Sequence, residues 1–120
     1  MSAETVYRVA VNIPPAFMNK MMDAIDAVMT PVYPGYRRSF TYYPVTGTWQ
    51  TLPGAHPFDG KPGEVTAAEE TRLEFIVRLA ELPAVLRAIE KAHPYEEPAV
   101  DVTPELAWRS LLTGPSDRSL

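Results

Sequence analysis

Thr71-Arg72-Leu73-Glu74-Phe75-Ile76-Val77-Arg78-Leu79 alternates its side chains. Leu73, Phe75 and Val77 fall on one side, and Arg72, Glu74 and Arg78 on the other, which is the period of a half-buried strand. Just beyond it the period changes. Leu82 to Ala92 puts Val85, Leu86 and Ile89 on one helical face, with Pro83 in the first turn, where a missing N–H costs nothing. A strand with one wet face, followed at once by an amphipathic helix, predicts a sheet with a helix packed on one side.

Upstream the same theme occurs once before. Val6 to Ile13 (VYRVAVNI) reads as a first strand ended by Pro14-Pro15. Phe17, Met21, Ile25 and Val28 then share a helical face, and Pro31 stops the helix. Met18, Met22 and Met29 broaden its apolar side as adaptable core packing. Tyr36 to Val45 predicts a second strand, Thr46-Gly47 a hairpin turn, and Thr48 to Leu52 the return strand. Pro53 to Gly63 (PGAHPFDGKPG) holds three prolines and three glycines and is a loop, long enough to carry function.

Downstream, Ala99 to Val102 is a last short strand. Glu105 to Leu112 (ELAWRSLL) predicts a short helical segment, and Thr113 to Leu120 a polar tail. The order strand, helix, strand-hairpin, strand, helix, strand fits an α+β, ferredoxin-like split βαβ plan: an antiparallel sheet with two helices on one face. Residues 1–104 form this domain and 105–120 an appended helical segment and tail. The plan leaves the sheet's other face bare. Phe40, Tyr42 and Trp49 are expected to line it as an apolar patch covered by another subunit, so a homo-oligomer is expected.

Composition narrows the function. The chain has 120 residues, 46% apolar and 22% charged, with a net charge of -4, so no basic stripe is available for nucleic acid. There is no cysteine, hence no disulfide, thiolate nucleophile or cysteine-based metal centre. Met1-Ser2-Ala3-Glu4 is acidic and leads into a strand-like run, so no signal peptide is expected, and no apolar run approaches the roughly 20 residues that span a bilayer. A cytoplasmic protein without nucleic-acid or membrane partners is expected.

The chemistry concentrates in His93-Pro94-Tyr95-Glu96-Glu97-Pro98, where an imidazole, a phenol and two carboxylates sit between helix and strand. Pro94 and Pro98 push His93 and Glu97 into extended conformation, making the corner stiff. His93, Glu96 and the loop's His56 are candidate ligands for a divalent metal ion. Tyr95, Glu97 and Phe58 are candidates to line a ligand site. The competing reading makes the corner architectural, with a protonated His93 capping the helix C-terminus. No GxSxG elbow, no Ser/His/Asp order and no GxxxxGK[ST] or GxGxxG phosphate loop is present. Glycines of the 54–63 loop with Lys61 are only a weak anion signal.

Linked motifs add a resemblance. Ala92-His93-Pro94-Tyr95-Glu96-Glu97-Pro98-Ala99 is similar to the AHPYEEPA signature of the domain inserted in Nif-three-like (YqfO-type) proteins. Gly54-Ala55-His56-Pro57-Phe58, Gly60, Gly63 and Glu64 resemble that domain's G-x-N-P-F-x-G-x-x-G stretch, with His56 in place of its asparagine. Glu70, Arg72 and Glu74 resemble its E-x-R-x-E strand, and the likeness runs over residues 6–103. It implies a CutA/PII-like fold and, by analogy, a trimer formed through the sheets, with a dimer as the alternative. Full-length Nif-three-like proteins hold a dinuclear metal site in a flanking domain, which nothing here matches, so their activity does not carry over. A non-catalytic, homo-oligomeric module sensing a metal ion or small ligand is expected. The alternatives are a metal-assisted hydrolase using the two histidines and Glu96, or a purely protein-binding domain.

Overall fold

The computed structural model describes residues 3–112. Its elements are β1 (Thr5–Ile13), α1 (Met18–Asp26), β2 (Thr41–Gln50), β3 (Val65–Val77), α2 (Leu82–Ala92) and β4 (Val100–Leu106). The sheet order is β2-β3-β1-β4, and each neighbouring pair is antiparallel. Proline placement explains which strands lie outside. A strand residue without an N–H is tolerated at a sheet edge, and Pro44 and Pro104 sit in the two edge strands while β1 and β3 contain none.

Both helices pack on one face. Val9, Val11 and Ile13 of β1 and Leu73, Phe75 and Val77 of β3 meet Met18, Met21 and Ile25 of α1 and Val85, Ile89 and Ala92 of α2. This ferredoxin-like arrangement is the one expected from the order of elements, and it agrees with the fold that the resemblance implies. Two helix details differ. Phe17 belongs to a short 3-10 turn (Pro15–Phe17) before α1, and Val28 is exposed because the helix has already ended at Asp26.

Three expectations about strands are corrected. Thr46-Gly47 is not a turn: β2 runs unbroken through it, with Gly47 paired to Ala68, and the real turn is the long loop after Gln50. Gly47 is there for space, since a Cβ would collide with the Glu70 carboxylate crossing over it. At the C-terminal end β4 extends to Leu106, because Thr5 and Val6 of β1 still offer partners to Leu106 and Glu105. The helical segment expected over Glu105 to Leu112 shrinks to a 3-10 turn, Trp108–Leu111. Thr113 to Leu120 lie outside the described residues.

The bare sheet face is also not the aromatic patch expected. Phe40 packs edge-on against Phe75 of the core (centroids 5.6 Å apart), and Tyr42 is registered with the core-facing Leu73. The open face carries a charged ladder instead. Arg8 pairs with Glu105 (2.6 Å) and Glu74 (3.6 Å), while Arg72 pairs with Glu74 (3.7 Å) and Asp101 (2.9 Å). The Tyr43 hydroxyl donates to Glu74.

β1 borders β3 only from Thr71 to Val77. From Glu70 back to Val65, β3 has β2 alone as a neighbour, so the two strands run on as a ribbon beyond the sheet. The molecule is accordingly long, 60 × 24 × 22 Å. The loop over residues 51–64 closes the ribbon, held by Gly63 N–H on the Thr51 carbonyl (2.7 Å).

Candidate functional site

The site lies where the ribbon, its closing loop and the corner after α2 meet. Pro94 forces its predecessor out of helical conformation, so His93 ends α2 with extended backbone (φ -79, ψ 134). Its ring turns inward and is 7% exposed. Nε2 lies 2.7 Å from the Asn12 carbonyl, and Nδ1 accepts the Tyr95 N–H at 3.1 Å. A nitrogen that accepts an N–H carries no proton, so the ring is the neutral Nε2–H tautomer and donates to Asn12. Burial pushes the imidazole pKa below its ordinary value. The protonated helix cap is therefore excluded: His93 is a neutral clamp between β1 and the corner.

Glu96 makes a second clamp. Its Oε1 accepts the His56 N–H at 3.0 Å, tying the loop to the corner through the backbone of His56. Together these bonds place Tyr95 among rings. Its centroid lies 5.5 Å from that of Trp49, 5.9 Å from that of Phe58 and 4.9 Å from that of His93. Phe58 in turn meets Phe17 edge-on at 5.8 Å, so the loop tip also rests on the approach to α1. The Trp49 indole N–H donates to the Asp59 carbonyl (3.3 Å), which fixes the ring's tilt.

Beneath the rings lies Glu70, only 4% exposed. Burial raises the Tyr95 phenol's pKa well above its ordinary range, and the nearby Glu70 carboxylate pushes it the same way. Gly47 leaves the room in which the Glu70 side chain lies. Thr51 is 5% exposed, and its hydroxyl has no hydrogen-bond partner among the described residues.

These groups enclose a cleft of about 420 Å³, lined by Trp49, Phe58 and Tyr95, by Thr51, and by the carboxylates of Asp59, Glu70, Glu96 and Glu97. Tyr95, Glu97, Phe58 and Glu96 thus come together on one cleft. His93 stands behind it with both ring nitrogens engaged, and His56 contributes its backbone to the clamp. Among the described residues no group of three or more His, Asp or Glu gathers as a metal cage. Lys61 is not among the lining residues. The residue types alone did not reveal Trp49, Glu70, Asp59 and Thr51 as lining groups. One signal for Glu70 was present: a glycine inside a strand marks a close approach, and Gly47 marks this one. No described helix is long and apolar enough to cross a membrane.

No family model matches the chain. A Halalkalibacterium halodurans protein named GTP cyclohydrolase 1 type 2 homolog is 31% identical over 107 residues, covering 86% of this chain and 28% of that protein. The Bacillus subtilis strain 168 protein of the same name is 43% identical over 58 residues, 48% of this chain and 16% of its own length. The chain thus spans less than a third of these relatives. Among solved structures, a Bacillus cereus protein related to NIF3 superposes with a TM-score of 0.74 at 28% identity, over 88% of this chain and 27% of that one. CutA of Archaeoglobus fulgidus gives 0.60 at 12% identity, with 83% of each chain covered. GlnK of B. subtilis in its ATP complex gives 0.58 at 13%, covering 88% of this chain and 85% of that one. At such low identity the last two speak for the fold alone.

Proposed function

Given that this chain is a CutA/PII-like domain of the kind found in NIF3-related proteins, we propose that it is a non-catalytic module that senses a small organic ligand. The observation that carries this reading is the cleft of about 420 Å³ lined by three aromatic and four acidic residues. That volume lies in the range of small-molecule sites. Two of its walls are clamped, because both His93 ring nitrogens and one Glu96 carboxylate oxygen are bonded to backbone groups. The same commitments argue against His93 as a metal ligand or a general base. The cyclohydrolase activity in the relatives' names is not carried over. A homo-oligomer, with a trimer favoured by the CutA/PII-like fold, completes the proposal, and the charged open face is the surface on which a second copy would dock.

The test is a thermal-shift panel of small organic ligands on the native chain and on Trp49→Leu. A ligand at about 100 times its Kd stabilises a fold by roughly 2.7 kcal/mol. A ligand that raises the native melting temperature and fails to raise that of Trp49→Leu is the expected result. A panel in which nothing separates the two proteins would sink the reading.

A further inference from the structure

We infer that the ligand of this cleft is a compact organic ammonium ion; the inference rests on the sensing role proposed above and narrows its chemistry. The charges lining the cleft are of one sign. Asp59, Glu70, Glu96 and Glu97 contribute carboxylates, and no Lys, Arg or His is among the lining residues. A phosphate-bearing ligand would enter against this field with no cation to receive it.

Glu70 makes the argument specific. It is 4% exposed, and among the described residues it forms no salt bridge. A carboxylate taken out of water needs a counter-charge or several donors, and beside Glu70 stands only the Tyr95 phenol. The neighbouring His93 ring is neutral and bonded elsewhere. A cation arriving in the cleft would complete this half-satisfied site.

The rings decide what kind of cation. Trp49, Phe58 and Tyr95 line the same space, and aromatic walls favour a weakly hydrated, spread charge. A hard metal ion needs six or so oxygens close around it. Among the described residues no such cage exists. An alkylammonium head fits the rings, and its charge faces Glu70. Thr51 adds a separate observation: its buried hydroxyl, without a partner among the described residues, lines the same cleft and would take a hydrogen bond from a hydroxyl or N–H on the ligand.

The experiment titrates the full chain with choline, with its neutral carbon isostere 3,3-dimethylbutan-1-ol, and with ATP, by calorimetry. Choline should bind, the isostere about tenfold more weakly, and ATP not measurably. Glu70→Gln keeps the side chain's shape while removing its charge, and should weaken choline by about tenfold while leaving the isostere unchanged. Asp59→Asn, at an exposed position, repeats the test at lower risk to folding and should weaken choline to a smaller degree. If the isostere binds as well as choline, or ATP binds better, the organic-cation inference is wrong while the cleft remains a ligand site. If none of the three binds, the inference is overturned, and the panel with Trp49→Leu decides independently whether the cleft binds anything.

Discussion

The two halves of β3 share one strand and little else. From Thr71 to Val77 it runs between β1 and β2 with helices over one face, and Leu73, Phe75 and Val77 are buried. From Val65 to Glu70 it has β2 alone, no helix above it, and one buried side chain, the carboxylate of Glu70. In the first half the buried groups are apolar and fill the core. In the second the one buried group is charged, and its neighbours are aromatic rings around an open cleft. Stability thus rests on one end of the strand and the proposed binding on the other, and substitutions should separate them.

The largest stability effect is expected in the covered half. Leu73→Ala removes a fully buried side chain between β1, β3 and the helices, and should lower unfolding stability by about 2–5 kcal/mol in urea melts. Any choline binding by the folded fraction should persist, since Leu73 lies outside the cleft. An intermediate effect is expected from Gly47→Ala. The added methyl meets the flexible end of the Glu70 side chain, so Glu70 should swing aside at a folding cost of about 1 kcal/mol, the low end of overpacking. Here binding should suffer more than folding, the reverse of Leu73→Ala. Comparable losses of stability and binding in both variants would dissolve the distinction between the halves.

The smallest effect concerns the clamp between them. His93 is buried with its pKa lowered, so the unfolded chain takes up this proton more readily than the folded one. Its contribution is fully present above the unfolded value of about 6.5 and is lost as pH falls from there through the depressed folded value. The melting temperature should therefore hold near pH 7–8 and decline below about pH 6.5. His93→Gln should flatten that part of the decline. A variant that still tracks the native curve between about pH 6.5 and 5 would show that the imidazole is not the group responsible.

The same contrast explains what was legible in the sequence. Period two in Thr71 to Leu79 and period 3.6 in Leu82 to Ala92 are local signals, and the covered half follows from them. The ribbon has no such layer above it, so Thr46-Gly47 looked like a turn when the glycine answers a side chain on the next strand. Trp49 was expected on the open face, and its register with Thr66 puts it on the side of Arg72 and Glu74. There it meets Tyr95, nearly fifty residues away, and no period reports that contact. Of the corner, Tyr95, Glu96 and Glu97 were visible as a dense polar group, and the structure places them on the cleft. His93 was visible as chemistry, yet its role follows from two backbone partners, Asn12 and Tyr95, one of them in a distant strand. The buried Glu70 was signalled by Gly47, a glycine that lies inside a strand, and by the resemblance of its own strand.

The central claim is that the cleft between ribbon, loop and corner is where a ligand binds. The chain has two tryptophans, Trp49 in the cleft and Trp108 in the exposed turn after β4, so a nitrogen–proton correlation spectrum holds two indole signals. Following those two signals while choline is added is the most direct measurement. The Trp49 signal should move and saturate while that of Trp108 stays in place; two signals that move together, or neither moving at all, would contradict the claim.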